Sequence, residues 1–449
     1  VDNNQLAHRL SALVGDAHVL TDPALKASYE TDFTGRFTGR SRLVVRPADT
    51  EQVAGIVGLC RAEGIPLVPQ GGNTGLVGAS VPTGTEIVLS LGRLTEIGPV
   101  DEAARQVTVG AGVPLAEVQR RVRPYGLAFG VDLAARDSAT IGGMIATNAG
   151  GERVVRYGTT RANVAGLEAV LPDGSVLSRL TGLPKDNTGY DLTGLLVGSE
   201  GTLAVLTRAR LRLVPIQPRR VTALLALPSI EQAITALTAV RALESLELAE
   251  FFLPEGLSLV MAQTGLPAPF GAEYPVYLLV ECAGRQDPTE ELAEVLDDAD
   301  ILDMAVAVQA SDRHRLAAYR DRHTESINAE GIPLKLDVTL PLDEVAGFVR
   351  DLPDLLPKRV RPILFGHLAE GNLHVNLLDV ASSDEDAVSE TVLRRVAAAG
   401  GSISAEHGIG RAKAHYLSLS RSPAEIAAMR AVKAALDPTG ILSPGTLLP

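Results

Sequence analysis

The chain has 449 residues, 46% of them hydrophobic and 21% charged, with a net charge of −13. That length exceeds what one hydrophobic core serves, so at least two domains are expected. No apolar run approaches the ~18–20 residues of a membrane helix, and the acidic balance disfavours nucleic acid and anionic membranes as partners.

In chain order, the first half reads as short strands and Gly-rich loops: RLVVRPAD, PLVPQGGNTGLVGA, EIVLSL, RQVTVGAG, AGLEAVLPDGSVL and GTLAVLTRARLRLVP. Helical patterns such as TEQVAGIVGLCRAEG and PLAEVQRRVRPYG alternate with them, which predicts one mixed domain over 1–217. From Arg219 the texture changes to longer helices between strands (SIEQAITALTAVRALES, YPVYLLVECAG, HRLAAYRDRHTESINAEG, LKLDVTL), an α+β domain over 218–430. The segment 431–449 continues a helix stopped by Asp-Pro and Gly, and is expected to return towards the first domain. Cys60 and Cys282, the two cysteines, sit in a helix-like and a strand-like stretch and are expected to be buried thiols. The opening VDNNQLAHRLSALVGDAH does not read as a secretory leader, so a cytoplasmic location is expected.

Three Gly-rich stretches stand out in the first half: PQGGNTGLVGAS (69–80), DSATIGGMIATNAGG (137–151) and KDNTGYDLTGLLVGSEGTL (185–203). Glycine lets backbone N–H groups close on a bound anion such as a pyrophosphate. Neither the GK[ST] of a nucleotide P-loop nor GxGxxG is present, and any one stretch alone reads as a tight turn.

In the second half, GHLAEGNLHVN (366–376) places His367 and His374 around a turn. A two-residue turn at Glu370-Gly371 would set His367 directly opposite His374, with Asn376 on their face. Two imidazoles so placed reach one metal ion; a cross-strand pair without metal is the alternative. SAEHGIGRAK (404–413) supplies Glu406 and His407, and a His-His-Glu set with an open position is a recurrent catalytic divalent-metal arrangement. A carboxylate at a helix start is the other reading of Glu406. Upstream, Arg320 and Thr324 at i and i+4 share a helix face, and Lys335 projects from the polar face of LKLDVTL; solvated faces would show the same pattern.

The wording and order of these motifs resemble the FAD-linked D-2-hydroxyacid dehydrogenases, from RLVVRPADTEQV to DPTGILSP, with the D-2-hydroxyglutarate branch nearest in wording. The resemblance implies a two-domain α+β flavoprotein of the vanillyl-alcohol oxidase and p-cresol methylhydroxylase type. Gly71, Gly72, Asn73, Thr74 and Gly75 match its FAD pyrophosphate loop, and Ser138, Gly142, Gly143, Asn148 and Gly151 match its second flavin segment. Covalent members carry a histidine where this chain has Asn73, so a dissociable FAD is implied. In the family the positions of His367, His374 and Glu406 hold a divalent metal, expected here to be zinc, with manganese, iron or cobalt as alternatives. His407 matches the proposed base, Asn376 lies with the substrate, and Arg320, Thr324 and Lys335 match the anchor of a distal carboxylate. The resemblance thus implies oxidation of a D-2-hydroxy acid, D-2-hydroxyglutarate first, by hydride transfer to flavin N5. An electron-transfer flavoprotein or a quinone is the implied acceptor. D-lactate as substrate and a non-catalytic flavin-binding redox protein are the alternatives, and a homodimer is left open.

Overall fold

The structure is a computed structural model that describes residues 2–449. Contacts divide the chain into two compact units, Val1–Gly150 with Gly158–Ile216 and Glu406–Pro449, and Gly151–Tyr157 with Gln217–Ala405. The chain thus re-enters the first unit at Glu406, ahead of the expected 431. The reason is local bonding: the Glu200 carboxylate accepts the amides of Ile409 (2.8 Å) and Gly410 (2.7 Å), and Lys433 Nζ donates to the carbonyls of Thr202 and Leu442.

The first unit contains two sheets. Val19–Leu20 (β1), Val44–Val45 (β2), Leu67–Gln70 (β3) and Ile87–Ser90 (β4) form one in the order β1-β2-β4-β3, with β4 parallel to both neighbours. Its all-buried IVLS run is what a strand covered on both faces requires. One cover is the Thr50–Glu63 helix, which buries Val53, Ile56, Val57 and Cys60 at i, i+3, i+4 and i+7. Asp49 caps its start by accepting the Gln52 amide, and Gly64 ends it in the left-handed conformation (φ 63°). The second sheet joins Ile97–Asp101 (β5), Gln106–Gly110 (β6), Leu127–Phe129 (β7), Val164–Val170 (β8), Val176–Arg179 (β9) and Val205–Pro215 (β10) in the order β5-β6-β10-β8-β9, with β7 on the end of β10.

The second unit is built on one antiparallel sheet: Arg219–Leu227 (β11), Leu246–Phe252 (β12), Val276–Gly284 (β13), Asp303–Ala307 (β14), Leu334–Thr339 (β15), Arg361–His367 (β16) and Asn372–Leu378 (β17). The order is β14-β11-β13-β12-β16-β17-β15. Two local expectations change here. The turn after β16 is a 3-10 turn over Leu368–Glu370 closed by Gly371 (φ 67°), so the register shifts and His374 stands opposite Phe365, not His367. Glycine is required there twice over, because a Cβ would also strike the Leu340 carbonyl. The helix expected to carry Arg320 and Thr324 on one face is two helices, Ala310–Asp321 and His323–Glu330, interrupted at Arg322 (φ −84°, ψ −1°). No helix among the described residues is long and apolar enough to cross a membrane.

Candidate functional site

Within the first unit, the Gly-rich stretches converge on a cavity lined by Gly71, Gly72, Asn73, Thr74, Gly75, Gly142, Gly143 and Gly201, together with Glu406 and His407. Gly71 and Gly72 are small for a packing reason: a Cβ would overlap the Thr140 hydroxyl at one and the Ser138 carbonyl at the other. Ser138 therefore acts through its backbone in seating the loop. Asn148 ends the Ile141–Thr147 helix in the left-handed region (φ 53°), and its side chain accepts the Arg161 amide at 2.9 Å. Gly151 belongs to the second unit. Asn73 is itself left-handed (φ 54°), and its amide donates to the Thr31 carbonyl at 2.7 Å while its oxygen accepts from Ser80 at 2.8 Å. Its side chain thus braces the loop. His407 Nε2 lies 4.0 Å from Glu406 Oε1, and the Glu200 clamp on the amides of Ile409 and Gly410 fixes the segment just after them. Burial pushes the Glu200 carboxyl up, against the pull of those two amides and of Lys413.

Within the second unit, one sheet face collects the polar residues. Directly opposed residues of an antiparallel pair share a face, and the pairs here are Glu250 with His367, Phe365 with His374, Asp337 with His374, and Lys335 with Asn376. His367 and His374 are diagonal neighbours, their ring centroids 5.1 Å apart at 82°, and their Nε2 atoms approach to 3.3 Å. His367 Nδ1–H donates to Glu250 Oε1 at 2.6 Å, and His374 Nδ1 faces Asp337 Oδ1 at 3.4 Å. Asp337 is in turn held by the Asn372 amide at 2.8 Å.

The Glu250 carboxylate 2.6 Å behind Nδ1 leaves the His367 Nε2 with its lone pair, and that lone pair faces His374 Nε2 at 3.3 Å. Such a contact is made either by a proton on His374 Nε2 or by a cation that both nitrogens share. Two nitrogens each about 2.0–2.1 Å from a tetrahedral ion stand about 3.3 Å apart, so the donor set fits a divalent metal. Glu406 follows directly on Ala405, whose amide donates to the Asp337 carbonyl at 3.2 Å.

Arg320 is buried and its guanidinium lies over the Phe365 ring at 4.5 Å; Nε and Nη2 donate to Glu250 Oε2 at 2.8 and 2.7 Å. Burial works to raise the Glu250 carboxyl, and His367, Arg320 and His374 outweigh it and hold it below the usual carboxylate range. Arg322, between the two helices, is exposed and paired with Glu325 at 2.7 Å. Thr324 and Lys335 are half-buried, and Asn376 is buried.

Behind this face His323 is fully buried, between Phe252 and Phe365 at ring distances of 5.1 and 5.0 Å, and its Nδ1–H donates to the Arg320 carbonyl at 3.1 Å. Burial, with Arg320 adding, pushes its pKa down to about 3. A histidine neutral in the fold and chargeable when unfolded contributes stability above its unfolded pKa near 6.5, which is lost as pH falls towards 3. His323→Phe is expected to flatten that loss by on the order of a few kcal/mol. Denaturant unfolding of both proteins across this window checks it; parallel curves would refute it.

Sequence reasoning missed three carboxylates. Glu250 lies 117 residues from His367 with no motif around it. Asp337 and Glu200 could have been noticed, one by sharing the polar face of LKLDVTL with Lys335 and the other as the only charge in GSEGTL.

Residues 41–179 match the FAD binding domain family, and residues 216–447 match the FAD linked oxidases, C-terminal domain. The chain is 38% identical over 443 residues to a mitochondrial D-2-hydroxyglutarate dehydrogenase of Bos taurus, covering 96% of this chain and 81% of that one. It is also 38% identical over 442 residues to a D-2-hydroxyglutarate dehydrogenase of Xanthomonas citri pv. viticola, covering 95% and 93%. Among solved structures, p-cresol methylhydroxylase with substrate bound superposes with a TM-score of 0.79 at 17% identity, covering 98% of this chain and 96% of that one. The chain therefore belongs to the FAD-linked D-2-hydroxyacid dehydrogenases of the vanillyl-alcohol oxidase and p-cresol methylhydroxylase fold, flavoprotein oxidoreductases that act on CH–OH groups.

Proposed function

We propose that this enzyme oxidises D-2-hydroxyglutarate to 2-oxoglutarate with FAD and a divalent metal. The observation that carries the reading is the pair of carboxylate-backed histidines, Nε2 atoms 3.3 Å apart, on the sheet face that also bears Lys335 and packs against the buried Arg320. The names of the similar proteins support the choice of acid.

His367, His374 and Glu406 would hold the metal, zinc first, with manganese, iron or cobalt as alternatives; a bound ion lowers the pKa of a coordinated hydroxyl. FAD, when bound, supplies the hydride acceptor, N5. Gly71, Gly72, Asn73, Thr74 and Gly75 would hold its pyrophosphate with Gly142 and Gly143 beside it, while Ser138, Asn148 and Gly151 would support that segment. The bracing role of the Asn73 side chain suits a dissociable flavin.

His407 would take the hydroxyl proton as the C2 hydride leaves. Asn376 would orient the C1 carboxylate. Arg320 uses Nε and Nη2 on Glu250, so its Nη1 edge would meet the distal carboxylate with Lys335 and Thr324. A shorter acid would forgo the contacts of its missing carboxylate with Arg320 Nη1, Lys335 and Thr324, which is how the site would discriminate. The electrons would leave to an electron-transfer flavoprotein or a quinone.

Anaerobic mixing with D-2-hydroxyglutarate is expected to bleach the visible flavin absorbance rapidly. Bleaching by D-lactate and not by D-2-hydroxyglutarate would overturn the dicarboxylate reading.

A further inference from the structure

Glu250 is almost completely buried on β12, where an isolated carboxylate would be strongly disfavoured. Its two oxygens divide their work. Oε2 takes both bonds from Arg320, which supplies the counter-charge and fixes the carboxylate in place. Oε1 is then aimed at His367 Nδ1 across the register pair Glu250 with His367, at 2.6 Å. From this geometry we infer that Glu250 is a positioning residue of the site: it holds the His367 ring by Nδ1 so that Nε2 points at the His374 Nε2. The inference rests on the metal reading above.

The backing of the two histidines is unequal, since Asp337 stands 3.4 Å from His374 Nδ1 and is shared with Asn372. Glu250 therefore does the tighter orienting. The contrast on the same strand is Glu247, equally buried but surrounded by Arg153, Arg156 and Arg220 and bonded to Tyr157, with no histidine against it among the described residues. Glu247 neutralises an arginine cluster, whereas Glu250 spends one oxygen on a ring nitrogen.

In Glu250→Gln one of the two oxygens becomes an amide nitrogen, a donor. Facing His367, it removes the acceptor of the Nδ1–H; facing the Arg320 donors, it leaves an oxygen on His367 but without the negative charge and without the Arg320 bonds that fix it, so the hold on the ring is weaker in both rotamers.

The test uses the full chain with flavin bound, stripped of metal, and reads zinc affinity by competition with a chromophoric chelator near neutral pH. Glu250→Gln is expected to bind zinc about 10- to 100-fold more weakly than wild type, the range for lost outer partners of metal-bound histidines. Glu247→Gln, about 10 Å along the strand, is expected to stay within about twofold. Should Glu250→Gln fail to retain flavin, Glu250→Asp keeps the charge and is expected to show a loss of about 10-fold in the same assay. Wild-type affinity in the Glu250 variants would overturn the inference and leave the metal reading standing, and so would equal losses in the Glu250 and Glu247 variants. No zinc binding by wild type, or equal binding by His374→Ala, would overturn the metal reading and this inference with it.

Discussion

His374→Ala is expected to slow flavin reduction by the hydroxy acid about 1,000-fold or more while the oxidised flavin spectrum stays that of wild type. A factor of 1,000 is about 4 kcal/mol of barrier, within what a lost Lewis acid costs when it must stabilise a developing alkoxide. The substitution removes one of two converging Nε2 donors, and His367 with one carboxylate is a poor metal set. The Gly-rich cavity proposed for the flavin is lined by residues of the first unit, whereas His374 lies on β17 of the second, so cofactor content serves as the control. Chelator treatment of wild type should give the same loss, and added zinc should restore wild type but not the variant. Stopped-flow reduction together with metal analysis checks this. A variant that reduces its flavin at the wild-type rate would sink the metal mechanism.

Lys335→Met is expected to cost about 100-fold in kcat/KM for D-2-hydroxyglutarate, and less than about threefold for D-lactate. The first figure corresponds to about 2.7 kcal/mol, at the low end for losing one member of a buried charge pair. D-lactate has no distal carboxylate, so it forgoes nothing when the ammonium is removed. Methionine keeps most of the apolar stem, which limits the effect on packing. Lys335 is the better probe than Arg320. Deleting the guanidinium would leave the buried Glu250 carboxylate without its counter-charge and confound binding with stability. Initial rates on both acids with a dye acceptor decide the matter; equal losses on the two would remove Lys335 from carboxylate recognition.

Much of the candidate site was legible in the sequence. His367, His374, Asn376 and Lys335 were singled out from their spacing and motifs, and one sheet face carries them all. Strand alternation explains this, because a period of two assigns Lys335 and Asp337 to one face before any partner is known. The Gly-rich loops were legible for a similar reason. Glycine in such runs signals close backbone approach, and the Ser138 carbonyl is what makes Gly72 necessary.

Register and long-range partners were not legible. The turn after β16 is a 3-10 turn, so His374 faces Phe365 and meets His367 diagonally; a two-residue turn would have placed the histidines in direct opposition. Helix periodicity runs unbroken through Arg322 in the sequence, yet one helix ends and another begins there, so Arg320 and Thr324 belong to different helices. The return to the first unit at Glu406 depends on Glu200 clamping amides 209 and 210 residues away.

The sequence by itself determined which residue types could do chemistry and which strand faces they occupy, since local alternation and glycine's missing side chain are properties of single segments. Only the tertiary structure decided that Glu250 and Asp337 face the Nδ1 atoms of the two histidines, whose Nε2 atoms stand 3.3 Å apart. That decision belongs to the pairing of β12 with β16 and of β15 with β17. Such pairings between distant strands are selected by the packing of the whole sheet, and no short stretch of residues encodes them.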